Sequence, residues 1–421
     1  MDASAPEDAG APEDSRGRSG ALGPELEAYV AHAAERSPAL RASFERWRAS
    51  VHGISPAKRL PDPMFEIGVY VWNSGENTSP ALGRLGLRQE LPWPGTLRAG
   101  ADAASAEARA RQRQFEAELV ELRRRVADAY YRLWLLRRLR AIEQEHLTIL
   151  QSLSESALGR VATGAASLAD QQRIELTKAR LADSLAAFDE QERAEEARLR
   201  AIVGAERGVA VRTSEGEPSV ALPAEDPEVL LRAALQHPAI EVFVLEGEAA
   251  EARARRERIE RWPGFVVGVE WMSMPGGMSE SGIMPSLGVR LPLWQGAYAE
   301  AIRGAEAEAA ARLADGQAAL LDARAALEEA LSRIRDSKRR IDLHRHTLLP
   351  QAEAAYGSVL GAYATGRASV AASLLAQKDL IELRIGLEQA RVDHALAWAE
   401  LERVVGRPVT RASGAPGGEH D

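Results

Sequence analysis

The sequence predicts a mainly α-helical protein with a small β part, built from one unit written twice: a β-hairpin carrying a long α-hairpin. Three observations predict it. The first is an internal repeat: "VATGAASLADQQRIEL" from Val161 and "YATGRASVAASLLAQKDLIEL" from Tyr363 are nearly the same phrase, and Gly164 and Gly366 stand 202 residues apart in a chain of 421. The second is strict alternation of apolar and polar residues in two pairs of short segments. The third is the unusual length of the helical pattern that follows each pair.

The repeat extends both ways. "SALGRVATG" from Ser156 answers "SVLGAYATG" from Ser358, and "RLRAIVG" ending at Gly204 answers "ELERVVG" ending at Gly406. Upstream, "LGLRQELPWPG" (Leu85–Gly95) pairs with "LGVRLPLWQG" (Leu287–Gly296), and "PDPMFEIGVYVW" with "RWPGFVVGVEW". The order of elements is the same, with the offset drifting by a residue or two. The expected organisation follows. Residues 1–24 form a tail; 25–205 are the first unit, with a β-hairpin at about 63–92 and an α-hairpin at about 96–205; 206–224 are a linker. Residues 225–408 are the second unit, with a β-hairpin at about 263–293 and an α-hairpin at about 297–406, and 409–421 are another tail.

Each unit opens with a helix, expected at about Glu25–Val51 and Pro227–Glu260. Two extended segments follow. Phe65, Ile67, Val69 and Val71 fall on one face, with Glu66, Gly68 and Tyr70 opposite; Leu85, Leu87 and Leu91 oppose Gly86, Arg88 and Glu90. In the second unit Phe265, Val267, Val269 and Trp271 oppose Gly268 and Glu270, and Leu287, Val289, Leu291 and Leu293 oppose Gly288 and Arg290. This period of two marks strands with one apolar and one polar face. A half-buried hairpin of a soluble protein gives the same pattern. Two details favour a membrane strand: ionised residues (Glu66, Arg88, Glu90, Glu270, Arg290) on the polar face, and Trp72, Trp93, Trp262, Trp271 and Trp294 at or near strand ends, as in an aromatic girdle.

After each second strand comes "LPWPG" or "LPLWQG" and then a long helical stretch. Thr96 to about Leu158 contains no proline and only Gly100 as an internal breaker. Phe115, Leu119, Leu122, Val126, Tyr130 and Leu133 alternate spacings of three and four, and Leu320, Leu327, Ile334, Ile341 and Leu348 recur every seven residues. These are coiled-coil seams. Pro350 is expected to kink the second long helix. The repeated phrase is the turn of each α-hairpin: Gly164 or Gly366 ends one helix, and Ser167 or Ser369 caps the next.

Composition agrees. Aromatics are 5% and charged residues 27%, a balance that favours long helices with narrow apolar seams over a thick core. A net charge of −9 argues against non-specific nucleic-acid binding. The absence of cysteine rules out disulfides, thiol catalysis and a lipid-modified cysteine in the chain as given. No apolar run approaches the roughly 18 residues of a spanning helix. The opening "MDASAPEDAGAPEDSRGRSG" has neither the basic nor the apolar region of a secretory signal, so a removed signal or a mis-set start is expected.

Nothing in the chain assembles an enzyme. "GRVATG" and "GAYATG" satisfy G-x-x-x-x-G, but neither continues with Lys-[Ser/Thr] or follows a strand. His344 and His346, two apart, fall on different helix faces. Neither a catalytic residue nor a cofactor is expected. Four of the six methionines, Met272, Met274, Met278 and Met284, share one loop, "WMSMPGGMSESGIM". Thioethers suit soft ions such as Cu(I). A flexible loop containing an adaptable side chain is the plainer reading, and no metal site is assigned.

The duplicated strand pair with a long α-hairpin, the "LPWPG" and "LPLWQG" joints and the two "A-T-G-x-x-S" turns together resemble the TolC family of outer-membrane efflux channels, from Glu25 to about Pro408. "GVRLPLWQGAYAEAI" and the methionine loop are most similar to the branch serving heavy-metal exporters. The resemblance implies a homotrimer whose strands close a 12-stranded β-barrel, continued by a periplasmic α-helical barrel. It implies a passive conduit in the cell outer membrane, bounded by outer-membrane lipid and partnered by a periplasmic adaptor protein and an inner-membrane pump. Glu66, Arg88, Glu90, Glu270 and Arg290 would then face the barrel lumen. Gly164, Ser167, Gly366 and Ser369 would meet the adaptor at the periplasmic tip, and Asp170, Tyr363 and Arg367 would gate that tip. The family's second turn often carries acidic residues; here "ASVAASLLA" has none. The competing class is a soluble coiled-coil scaffold, which suits the heptads and leaves the alternating strands unexplained.

Overall fold

A computed structural model describes residues 23–73, 78–162, 167–272 and 282–412. Each unit opens with two helices where one was expected. α1 (Leu26–Arg36) and α2 (Pro38–Lys58) break at Ser37, and α5 (Pro227–Leu235) and α6 (Pro238–Glu260) break at His237. Pro38 and Pro238 have no N–H for a bond four residues back, so each starts a new helix instead of continuing the old one. His237 completes the second break, accepting from the Ala239 N–H at 3.0 Å through Nδ1.

The strands are β1 (Met64–Asn73), β2 (Thr78–Leu91), β3 (Gly264–Met272) and β4 (Gly282–Arg290). They form one antiparallel sheet in the order β1-β2-β3-β4. The two hairpins, far apart in sequence, join along β2 and β3 from Arg84↔Met272 to Leu91↔Phe265. β2 starts earlier than the alternation suggested. A register shift between Gly68 and Val69 absorbs an extra residue and lets the pairing run on to Thr78.

The long hairpins are α3 (Thr96–Ala162) with α4 (Leu168–Val203), and α7 (Gln295–Leu343) with α8 (Leu349–Ala364) and α9 (Val370–Val405). At about 1.5 Å per residue the 67 residues of α3 reach roughly 100 Å. A single π-helical turn, His344–Leu348, joins α7 to α8. It lies just before Pro350, which cannot make the α-helical bond to His346, and the wider turn absorbs that loss within a continuous helical run. No helix among the described residues is long and apolar enough to cross a membrane.

The middles of the expected seams are buried, while Phe115, Leu119, Leu320 and Leu348 toward their ends are only partly so. Leu122, Val126, Tyr130 and Leu133 of α3 pack with Tyr29 and Ala33 of α1 and Leu199 and Val203 of α4. The second unit repeats this, with Leu327 and Ile334 of α7 against Leu230 of α5 and Trp398 and Leu401 of α9. Alanine does the work elsewhere: Ala103, Ala106 and Ala110 of α3, and Ala249, Ala250 and Ala252 of α6, are nearly inaccessible. Interaxial separation depends on the side chains at the contact, and small ones allow a close approach.

The linker between the units is pinned, not loose. Tyr29 Oη donates to the Arg212 carbonyl at 2.7 Å, and Tyr130 Oη accepts from the Ser214 N–H at 3.0 Å. Further along, the linker's Ala221 carbonyl accepts from Trp398 Nε1 at 3.1 Å and lies 3.0 Å from Nε2 of His394, whose Nδ1 is 3.0 Å from Ser337 Oγ. His394 is fully buried, and that burial holds its pKa below the ordinary 6.5, with the charges of Arg411 and Lys338 adding to the effect. The unfolded chain therefore takes up a proton that the fold resists. The His394 contribution is fully present above about pH 6.5 and is lost as pH falls toward the depressed folded value. Melting temperature should fall between pH 7.5 and 5, and less steeply in His394→Gln; part of the slope persists, since burial lowers His237 and His32 as well. An unchanged slope in the variant would remove His394 from the account.

Candidate functional site

Two regions gather the residues singled out by sequence: the sheet and the far end of the α-hairpins. In the sheet, alternation sorts side chains onto two unlike faces. Phe65, Ile67 and Leu287 are 63%, 60% and 75% exposed, and Val69, Val267 and Val269 share their apolar face. In a chain that buries Leu199 and Ile334 completely, this face is left for something other than water. The opposite face carries the ionised residues, and they meet. Arg88 reaches Glu270 at 2.7 Å and Glu66 at 3.1 Å, and Arg290 reaches Glu90 at 3.3 Å. All five residues expected on the polar face are therefore drawn into ion pairs.

Arg84 was not expected there, because the alternation was read only from Leu85 while β2 starts at Thr78. It lies 3.7 Å from both Glu66 and Glu270. Extending the Gly86, Arg88, Glu90 alternation two residues back would have found it. Glycine makes the room: a Cβ on Gly268 would sit 2.7 Å from Ser286 Oγ and 3.0 Å from Arg88 Cγ. Met272 and Met284 flank Glu270 on this face, Met284 directly opposite it in the pairing. Met274 and Met278 lie outside the described residues.

Where the sheet meets the helices, aromatic rings stack. Trp93 lies 5.6 Å from Trp262 and 5.9 Å from Phe265, with both ring pairs near parallel, while Trp294 is 78% exposed. Of the tryptophans noticed in the sequence, Trp93 and Trp262 join this stack, while Trp271 lies toward the other end of β3.

At the far end, Leu153 and Ala157 of α3, Ile174 of α4 and Val370 of α9 close around Tyr363 of α8. Ser167 and Ser369 cap α4 and α9, accepting from the Asp170 and Ala372 N–H groups at 3.2 Å. Gly366 takes φ +74°, the left-handed conformation that reverses the chain at low cost only for glycine. Gly164, its repeat partner, lies outside the described residues. The three gating candidates do not meet within one chain. Asp170 accepts from Ser167 Oγ at 2.8 Å, Arg367 donates to Thr365 Oγ1 at 3.0 Å, and Tyr363 is engaged by Arg160. Arg160 was missed by sequence reasoning: its guanidinium lies 4.8 Å from the Tyr363 ring centre and donates to the Tyr363 carbonyl at 2.6 Å. A contact across 203 residues between the two repeats leaves no local signal.

The family model for outer membrane efflux proteins matches the chain twice, over residues 29–205 and 229–407. No curated protein sequence matches it. Among solved structures, the outer membrane protein VceC from Vibrio cholerae is 18% identical, with a TM-score of 0.76 over 91% of this chain and 96% of that one. A membrane protein from Pseudomonas aeruginosa is 19% identical, with a TM-score of 0.78 over 92% of this chain and 94% of that one. CusC, whose crystal structures concern folding and transmembrane channel formation, is 16% identical, with a TM-score of 0.79 over 92% and 93% of the two chains. At these identities the likeness is one of fold.

Proposed function

The chain belongs to the outer membrane efflux protein family, and on that premise we propose that it works as a homotrimer whose sheets close a single barrel through the outer membrane. It is an outer-membrane efflux channel, the outermost component of a tripartite system, with a helical extension into the periplasm. The trimer, the lumen-facing role of the charged residues and the docking tip are our reading.

One observation carries it: a four-stranded sheet whose apolar face is exposed and whose two outer strands, β1 and β4, have no neighbour beyond them among the described residues. Lipid offers no hydrogen bonds to a strand edge, so an open sheet cannot stay in a bilayer. Pairing β4 of one copy with β1 of the next removes both edges, and three copies of four strands give a twelve-stranded barrel with the apolar residues outward. A soluble scaffold would leave that face wet. Mass measurement in mild detergent should give a trimer; a stable monomer retaining full β-content would overturn the reading.

The tip is proposed as the meeting place with a periplasmic adaptor, itself tied to an inner-membrane pump. Gly366, Ser369 and Ser167 are proposed to shape it, and Asp170 and Arg367 to close it through contacts between chains, with Tyr363 buried in its own chain. Gly366→Trp is expected to abolish export and adaptor cross-linking while trimers still form and insert. Gly366→Ala, which carries the same left-handed strain without the bulk, separates the two effects. If the alanine variant loses cross-linking as fully as the tryptophan variant, Gly366 serves stability and not docking.

A further inference from the structure

The charged face of the sheet has a specific plan. Glu66, Gly86 and Glu270 lie in one row across β1, β2 and β3, and Arg84 and Arg88 stand two residues to either side of Gly86 along β2. The four charged side chains form a cross over the glycine. Arg88 bonds Glu66 at 3.1 Å and Glu270 at 2.7 Å, and Arg84 lies 3.7 Å from each. A Cβ on Gly86 would sit 3.3 Å from Glu270 Cγ, so the glycine leaves the space in which the cross lies flat. Glu270 is almost wholly covered by it, with 5% of its side chain exposed. The remaining described charges of this face, Glu90 and Arg290, pair with each other at 3.3 Å. Among the described residues of this face, three carboxylates are matched by three guanidiniums.

We infer that this cross makes the barrel wall electrically neutral toward its cargo, and that Arg84 and Arg88 are the residues that keep it so. The inference rests on the barrel reading above. A lumen bounded by strands and lipid concentrates the field of any unmatched charge, and a threefold assembly would triple it. Long side chains laid along the wall in mutual contact present no such field and leave the bore open to cations, anions and neutral molecules alike. The second tip turn adds no acidic filter of its own, since Ala368–Ala376 contains no carboxylate.

The test is the reversal potential of the purified channel in a planar bilayer across a KCl gradient, at low salt where screening is weak. Arg88→Gln uncovers Glu66 and Glu270 and should raise the cation-to-anion permeability ratio severalfold. Glu270→Gln should lower it, and Arg88→Gln/Glu270→Gln should return it to the wild-type value. Should Arg88→Gln not insert, Glu90→Gln frees Arg290 and must shift the ratio in the same direction as Glu270→Gln. Variants that conduct with the wild-type reversal potential would overturn the inference and leave the barrel standing. A wild-type chain that forms no conducting pore would instead defeat the barrel reading, and the inference with it.

Discussion

Gly204→Ala is expected to lower the melting temperature of the channel sharply, the largest effect of any single added methyl group in the helical part. Gly204 ends α4 at φ +70°, where a Cβ costs about 1–2 kcal/mol. The added carbon would also sit 2.5 Å from the carbonyl oxygen of Arg36 and 3.0 Å from its carbonyl carbon. That neighbour is backbone, held between the last turn of α1 and the proline that starts α2, so it cannot swing away. Overpacking of this kind costs a further 1–3 kcal/mol, roughly 2–5 kcal/mol in all. Gly406, its repeat partner at φ +78°, would press a Cβ to 2.7 Å from Cδ2 of His237. A ring can tilt, at the expense of its cap on α6, so Gly406→Ala should melt between Gly204→Ala and the wild type. Gly304→Ala, in the interior of α7 with nothing within 4 Å, should melt at or above the wild type, by the helix preference of alanine over glycine. Gly204→Ala melting with the wild type would refute the packing argument, and so would Gly304→Ala melting well below it.

That comparison also explains how much the sequence could tell. The caps and the helix ends were legible because each is settled within a few residues: Ser167 and Ser369 bond the backbone of the next turn, and Gly204 and Gly406 take the conformation their own lack of a side chain permits. The strand faces were legible for the same reason, since alternation is a local property. Breaks at Ser37 and His237 were equally local, and reading Pro38 and Pro238 as first-turn residues would have found them. What stayed hidden depends on distant partners. The joining of β2 to β3 brings Arg88 to Glu270 across 182 residues, and Arg160 finds Tyr363 across 203. Alternation put Arg88 on its face without naming its partner, and Arg160 does not differ in its neighbourhood from the many Arg that simply lie on solvated helix faces. Pairings of that kind follow from how the two repeats pack on each other, which only the repeat and the resemblance it carried could suggest.

Val267→Arg is expected to block assembly of the channel in the membrane. Val267 stands near the middle of β3, opposite Gln89 on one side and Leu287 on the other, and its side chain belongs to the exposed apolar face. If that face meets lipid, an arginine near mid-bilayer costs about 2–4 kcal/mol, and the penalty recurs in each of three copies. Val69→Arg, on the same face of β1, should behave alike. Glu66→Gln provides the contrast. It lies on the other face, where its partners Arg84 and Arg88 remain partly solvated, and loss of such a pair costs roughly 0.2–1 kcal/mol. Its trimers should form and fractionate with the outer membrane as the wild type does, even if its ion preference shifts. Equal loss of membrane-inserted trimer from Val267→Arg and Glu66→Gln would mean that the facing is reversed or the sheet is not a barrel wall. Full assembly of Val267→Arg would take the lipid away from that face altogether.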